Sequence, residues 1–428
     1  MKILLTSPVV SLDNKNIKEM LSPALGLYVL EGITPSEHQV KIVEEEIEDL
    51  NLDEECDLVG ISCMTANAPR AYELAGEFKK RGKTVVLGGI HPTIMPDEAS
   101  QYADSIIVGE AEDIWAKLLN DFKYGKLKKR YYSPEPSLDK FIPLDYKKVK
   151  SGYLGQLNLI TTRGCPYNCE FCSIPKTSSR IRHVPIANIV RCIVESKSKY
   201  VVFHDDNIVG DKDYAKELFR ELRPLKIKWI GQASIRAADD SELLKLMVDS
   251  GCISLFVGIE SLSIDQLKLL KKQVDNIQDL ESAIKNIKKA GILIHASVIF
   301  GFDTDTKDVF KKTLKFLIKS KVCSASFNIL TPYPNTSLFD KIKKEGRLIT
   351  GDWRYYSHSF AVFQPKNMTA YELQSSKINV KKNFYSFFSI LKRLPGNWRH
   401  PLFFIMANCI WRKEIKMRLD KIPEYIRE

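Results

Sequence analysis

The sequence predicts two α/β units in series and a mostly helical extension behind them. Strand-length apolar runs alternate with helical patterns in two separate series, the charge balance inverts between the two, and the alternation stops near residue 340. With 428 residues, 44% hydrophobic and 27% charged, the chain has room for more than one domain core. That composition excludes a disordered chain, a collagen and a small disulfide scaffold.

The first series runs KILLTSP, HQVKIVE, DLVGISCM, TVVLGGI and SIIVGE. Strands separated by helices imply a parallel sheet covered on both faces, a doubly wound unit of the Rossmann-like or flavodoxin-like type. The helix expected over 68–82 sets Ala71, Leu74, Ala75 and Phe78 on one face and ends at Gly82, a residue suited to the left-handed turn behind a helix. Residues 1–120 carry 10 basic and 21 acidic side chains, a net of −11, whereas the remaining 308 carry +22. That inversion places a domain boundary near residue 120 and turns any acidic partner toward the later part of the chain. Solvated lysines on helix faces account for the excess better than nucleic-acid binding does, and nucleic acid is not an expected partner. From 121 to 155 the chain turns basic and aromatic, with Pro134, Pro136 and Pro143, and reads as a linker.

The second series occupies 156–340: QLNLITTRG, KYVVFHDD, IKWIGQAS, CISLFVGIES, ILIHASVIFGF and CSASFNILTPYP, with helical patterns such as DSELLKLMVDSG between them. Six strands with crossover helices predict a partial (β/α)6 barrel, whose reactive groups belong at the C-terminal strand ends. Residues 341–428 form the helical extension. The opening MKILLTSPVV is too briefly apolar for a secretory signal, and the stretches 291–302 and 401–411 fall short of the ~20 residues that span a bilayer. Nine cysteines, an odd number, fit reduced thiols in a cytoplasmic protein better than a disulfide framework.

The segment RGCPYNCEFC places Cys165, Cys169 and Cys172 in a Cys-x3-Cys-x2-Cys spacing directly after the first strand of the second series. Three thiolates on one tight loop can hold three irons of a [4Fe–4S] cluster and leave the fourth iron open to a substrate or cofactor. A structural zinc site would need a fourth ligand, commonly from a second Cys-x2-Cys pair, and none follows downstream.

With Phe171 just before the third cysteine, this loop resembles the signature of the radical S-adenosylmethionine (SAM) superfamily. The resemblance implies that the three cysteines ligate the cluster, that SAM occupies the open iron through its amino and carboxylate groups, and that one-electron reduction by an external donor such as flavodoxin or ferredoxin cleaves SAM to a 5′-deoxyadenosyl radical. Further SAM contacts are expected at strand ends: Asp205 and Asp206 after the second strand as acceptors for the methionyl ammonium, Gln232 and Ser234 after the third, and Glu260 after the fourth. Each of these residue types also serves as a helix cap or turn residue.

The N-terminal segments ISCMT, LGGIHPT and VGEAED close strands of the first sheet with small residues that let a bulky ligand approach the backbone. They resemble the cobalamin-binding domain of the subgroup that includes hopanoid methylases and anaerobic porphyrin cyclases, and the likeness runs from residue 1 to about 370, through FNILTPYPNTSLFD and EGRLITGDW. It implies cobalamin contacts from Ser62, Thr65, Gly88, Gly89 and His91. Cobalamin folds often carry Asp-x-His-x-x-Gly after the first strand; here that stretch reads SPVVSLDNKNIKEM, so cobalamin is expected without a protein histidine on cobalt. The other six cysteines show no ligand spacing and read as small buried hydrophobes.

Residues 370–428 hold 12 basic and 5 acidic side chains interleaved with FYSFF, WRHPLFF and CIWRK. Three readings stand: a helical cap over the barrel mouth, a surface on which nucleic acid stacks, or an interfacial segment that retains a large or amphiphilic substrate there, lipid-like or tetrapyrrole-like, with peripheral membrane contact. The resemblance implies an enzyme that methylates an unactivated carbon by way of cobalamin. Ring closure or rearrangement without methyl transfer is a second reading. A tRNA methylthiotransferase is a third, which the absence of three cluster cysteines in the N-terminal unit disfavours. A non-enzymatic iron–sulfur redox sensor is the fourth.

Overall fold

The computed structural model describes residues 1–9, 22–133, 135–139, 149, 156–263, 266, 277–417 and 422–427. Part of the linker segment 121–155, with Pro134 and Pro143, lies outside the described residues, as does 10–21, where the missing histidine motif would fall. The chain divides into two compact units. One comprises Met1–Asn158, Lys176–Ser196 and Asp352–Ser357; the other comprises Leu159–Pro175, Lys197–Gly351 and His358–Glu428.

In the first unit β1 (Lys2–Ser7), β2 (Gln39–Glu44), β3 (Leu58–Ser62), β4 (Thr84–Gly88), β5 (Ser105–Val108) and β6 (Arg130–Tyr132) form one parallel sheet in the order β2-β1-β3-β4-β5-β6. The first five are the strands expected; β6 lies in the segment read as linker. The composition boundary near residue 120 falls inside the helix Trp115–Lys123, and the sheet continues past it. Alternate side chains face opposite ways along each strand. Leu4, Val59, Ile61 and Leu87 therefore meet Ala71, Leu74 and Phe78 of α1 (Ala68–Lys80), while Leu5, Leu58 and Val86 meet Trp115, Leu118 and Tyr28 on the other face. Gly60 makes this second core possible, since a Cβ there would come within 2.8 Å of Leu5 and 3.7 Å of Trp115. The sheet order reverses between β1 and β3, the crevice where ligands of doubly wound sheets bind.

In the second series β7 (Leu157–Leu159), β10 (Tyr200–Phe203), β11 (Lys228–Ser234), β12 (Cys252–Glu260), β13 (Leu293–Phe300) and β14 (Ser324–Ile329) lie side by side in chain order, a partial barrel with the six strands expected. The two-residue strands β8 (Thr162–Arg163) and β9 (Arg182–His183) flank the cysteine loop in sequence. Helices α2 (Lys212–Leu222), α3 (Ser241–Asp249), α4 (Ile277–Ala290) and α5 (Asp308–Lys319) cross between strands. Asp211 caps α2 and Asp240 caps α3, their carboxylates accepting from backbone amides of the first turn.

The extension is helical, as expected: α6 (Ala370–Phe384), α7 (Phe387–Arg393) and α8 (Pro401–Met417). Its aromatic part does not cap the barrel mouth. The buried Arg393 donates to the carbonyls of Val322 (3.2 Å) and Cys323 (2.7 Å) and to Asn408 Oδ1 (2.8 Å). Asn408 donates to Cys323 O, Asn397 to Lys321 O and Arg399 to Ala290 O. These carbonyls belong to the chain entering β13 and β14, so α7 and α8 close the N-terminal end of the barrel, opposite the cysteine loop. Residues with four-fold spacing explain the docking, since Phe404 and Asn408 lie on one face of α8 and are both buried. No helix among the described residues is long and apolar enough to cross a membrane.

Candidate functional site

The chain leaves β8 through Gly164 (φ 90°), whose left-handed backbone turns it into the loop carrying the three cysteines. Cys172 N donates to Cys169 O at 3.0 Å, so the loop folds back on itself and brings all three thiols to one cavity of about 350 Å³. Burial pushes the Cys172 thiol up to about 12, and nearby Cys169, Cys165 and Asp206 push the same way, against a backbone amide donated by Ile174. A thiol so placed becomes a thiolate only with a strong cation at hand, which an iron cluster supplies. No group of three Cys, His, Asp or Glu side chains among the described residues is tight enough for a single ion. A [4Fe–4S] cube asks less, because each cysteine binds a different iron. The residues fit the cluster better than they fit zinc.

The strand ends supply the rest of the cavity. Asp206 lines it and accepts from Gly164 N at 3.2 Å, and burial holds its carboxyl above the usual range. Gln232 lines it too, its Nε2 donating to Asp206 O at 2.9 Å, as do Ser234 at the end of β11 and Glu260 at the end of β12. Phe171 faces the same space and meets Phe302 edge to face. Asp205 stands elsewhere. It is 2% exposed and its carboxylate accepts from the hydroxyls of Thr161 (2.6 Å) and Thr162 (2.7 Å), behind the cavity wall. Of the two neighbouring aspartates one lines the cavity and the other is tied into the protein by the two threonines.

The lining also includes residues that the sequence did not single out, among them Arg236, Asn328 and His358. Asn328 donates to Ser297 Oγ at 3.0 Å, both being inward positions of neighbouring strands. The strand alternation contained that signal. His358 lies beyond the barrel in a segment without periodicity, and Tyr333 packs against its ring edge to face. Among the described residues six that are not glycine adopt positive φ, and two of them, Glu260 (62°) and His358 (62°), line this cavity. Backbone strain of this kind costs about 1–3 kcal/mol per residue and concentrates at functional sites.

In the first unit the residues expected at cobalamin come together at the ends of β3 and β4. Gly89 (φ 97°) admits no side chain, since a Cβ would lie 2.7 Å from Cys63 O and 3.0 Å from Ser62 Oγ, whereas one on Gly88 would meet nothing within 4 Å. That open backbone, partly exposed with Ser62, is where a bulky ligand can approach. Thr65 and His91 stand behind it. The His91 ring is 0% exposed, with Nδ1 3.3 Å from Thr65 Oγ1 and Nε2 3.4 Å from Glu98 Oε1, and Glu98 also accepts from Trp353 Nε1 at 2.9 Å. The expected side-chain contacts of Thr65 and His91 with a ligand give way to an internal bracing network.

Three cysteines on one loop at the C-terminal ends of a partial barrel, in a chain that also carries a doubly wound sheet open at its switch point, define a radical SAM enzyme with an added cofactor domain. Residues 159–317 match the Radical SAM superfamily and residues 22–119 match the B12 binding domain. Bacteriochlorophyllide d C-8(2)-methyltransferase of Chlorobaculum tepidum is 31% identical, with 95% of this chain and 94% of the relative covered. The C-12(1)-methyltransferase of the same organism is 32% identical over 80% of this chain and 78% of the relative. The radical SAM methyltransferase TsrM from Kitasatospora setae, solved with cobalamin and a [4Fe–4S] cluster, shares the fold at TM-score 0.72 and 15% identity, covering 97% of this chain and 99% of that one. The chain belongs to the radical SAM superfamily, in its cobalamin-dependent methyltransferase group. It is an enzyme whose cofactors are a [4Fe–4S] cluster, SAM and cobalamin.

Proposed function

We propose that the enzyme methylates an unactivated carbon of a large amphiphilic substrate of the tetrapyrrole type. The observation that carries the reading is the cavity itself, which joins the three cysteines to a polar rim and an apolar wall of Phe171, Phe256 and Ile299. The substrate class rests on the relatedness, over nearly the whole chain, to an enzyme acting on bacteriochlorophyllide d. When bound, the cofactors supply a radical able to take hydrogen from an unactivated carbon and a methyl group to put in its place.

The protein's part is to hold, orient and keep dry. Cys165, Cys169 and Cys172 each hold one iron. Asp206 accepts a charge-assisted hydrogen bond from the SAM ammonium, with Gln232, Ser234 and Glu260 as further polar contacts and Phe171 packed alongside. The apolar wall excludes water from a reactive carbon centre. Ser62, Gly88 and Gly89 would receive cobalamin, with Thr65 and His91 bracing that turn. An external one-electron donor such as flavodoxin or ferredoxin serves the cluster. A substrate of this kind partitions toward lipid, so peripheral membrane association accompanies the proposal.

The test is anaerobic reconstitution with cluster and cobalamin, then turnover of SAM with a chlorophyllide as substrate. Substrate-dependent S-adenosylhomocysteine together with 5′-deoxyadenosine supports methylation. Deoxyadenosine alone would point to ring closure, rearrangement or uncoupled cleavage and would remove it.

A further inference from the structure

The helix α8 carries an apolar stripe on its outer face. Its inner face buries Phe404 and Asn408 against the end of the barrel, while Leu402, Ile405, Met406 and Cys409, at helical spacing i, i+3, i+4 and i+7, are exposed on the outside. Leu402 is 82% exposed. A helix on a globular surface normally turns charged and polar residues outward, and a contiguous exposed apolar stripe marks a surface that something else covers. Next to it α7 exposes Phe387, Phe388 (75%) and Leu391, and the connection between the two helices exposes Trp398 (71%).

The exposed charge carried by this helical segment itself has one sign. Residues 385–417 contain six basic side chains, of which Arg393 is buried, and one acid, Glu414, which is buried in an ion pair with Lys381 at 2.6 Å. Beside Trp398 a shallow cavity of about 330 Å³ is lined by Lys228, Arg399 and His400. The same end of the barrel presents exposed lysines at the entry of four strands: Lys199 before β10, Lys226 before β11, Lys289 before β13 and Lys321 before β14. Apolar side chains ringed by cations, with a cationic hollow able to seat a phosphate, are complementary to a bilayer that carries anionic headgroups.

We infer that the N-terminal end of the barrel, with α7 and α8, is a docking face for an anionic phospholipid bilayer. The apolar stripe enters the headgroup region, and the strand-entry lysines and Arg399 meet lipid phosphates. The inference gives a surface to the peripheral association proposed above and stands separately from the methylation reading, because vesicle binding needs neither cofactor nor substrate. It also sets the membrane contact at the end of the barrel opposite the reactive cavity.

The test is co-sedimentation of the full chain with vesicles of phosphatidylcholine alone and of phosphatidylcholine with phosphatidylglycerol. Binding is expected to the anionic vesicles, falling as salt rises. The variant Leu402→Glu/Met406→Glu should lose it by roughly tenfold or more, and Lys226→Glu/Lys228→Glu by roughly fivefold for each lysine. The lysine variant lies away from the helices, so it decides the matter even if the helix variant fails to fold. Failure of the intact chain to bind anionic vesicles would overturn the inference, as would binding that both folded variants retain. A dimer in light scattering that Leu402→Glu/Met406→Glu makes monomeric, without vesicle binding, would assign the face to a second copy instead and overturn it equally.

Discussion

The two ends of the barrel are made by the same strands and resolve their backbone in opposite ways. At the N-terminal end the carbonyls entering β13 and β14 are answered from outside the strands, by Arg393, Asn397, Asn408 and Lys288. Tyr385 adds a two-way contact with Ala325, donating to its carbonyl and accepting from its amide. At the C-terminal end the strands stop at polar side chains that face a cavity, with Glu260 in left-handed backbone at the edge. One end is completed by its own chain and the other by what it binds. Stability and function are therefore separable along a single strand, and substitutions at the two ends should fail in different ways.

The largest effect is expected at the open end. Cys169→Ala should abolish cluster absorbance and reductive SAM cleavage while leaving the melting temperature of the cluster-free protein nearly unchanged. Full iron content in that variant would remove the cluster assignment. At the closed end Arg393→Met should do the reverse. It leaves the carbonyls of Val322 and Phe384 without the Arg393 donor and Cys323 O with its bond from Asn408 alone, in a dry site, and costs about 3–4 kcal/mol by chemical denaturation. Activity per folded molecule should be retained, and a selective loss of SAM cleavage would break the division between the ends.

Asp206→Asn sharpens the comparison. Replacing a charge-assisted contact by a neutral one should weaken SAM binding about 10- to 100-fold in a titration, with iron content intact. Asp305 offers a pH test at the same end. Its buried carboxylate accepts from the amides of Gly301 (2.9 Å) and Phe302 (3.1 Å), and burial raises it to about 6. Because the folded value lies above the unfolded one, its contribution is full below pH 4 and is lost as the pH rises through 6. Asp305→Asn should remove that fall, so wild type should lose on the order of 2 kcal/mol relative to the variant between pH 4 and 7. Parallel pH profiles would show that the carboxyl is not perturbed. The smallest effect is a gain: Glu260→Gly should relieve the left-handed strain and stabilise by about 0.5–1 kcal/mol while lowering SAM cleavage, the opposite signs expected where strain serves a site.

How much of this was legible in the sequence follows the same division. The strands of both sheets announced themselves because parallel strands buried on two faces read as continuous apolar runs. The exception was Arg130–Tyr132, whose basic and aromatic composition resembles a linker and whose pairing with β5 is long-range. The cysteine loop was legible because its chemistry is local, three ligands within eight residues. Asp205 and His91 misled for one reason: residue type and strand-end position say that a polar group is near the site, and only packing says whether it faces the ligand or the protein. The placement of the extension was not readable either, because an aromatic, basic helix has the same pattern whichever end of a barrel it covers. The direction came from Arg393 and Asn408, polar residues in an apolar stretch whose partners lie about 70 to 85 residues earlier in the chain.

Methylation of a tetrapyrrole-type carbon at the open end can be followed by isotope transfer. Reconstituted enzyme is given SAM labelled with deuterium in its methyl group, a reductant and a chlorophyllide, and the pigment is examined by mass spectrometry. A pigment heavier by one intact labelled methyl group is expected, formed by wild type and absent with Cys169→Ala. Consumption of SAM with unlabelled pigment, or equal label with the cysteine variant, would contradict it.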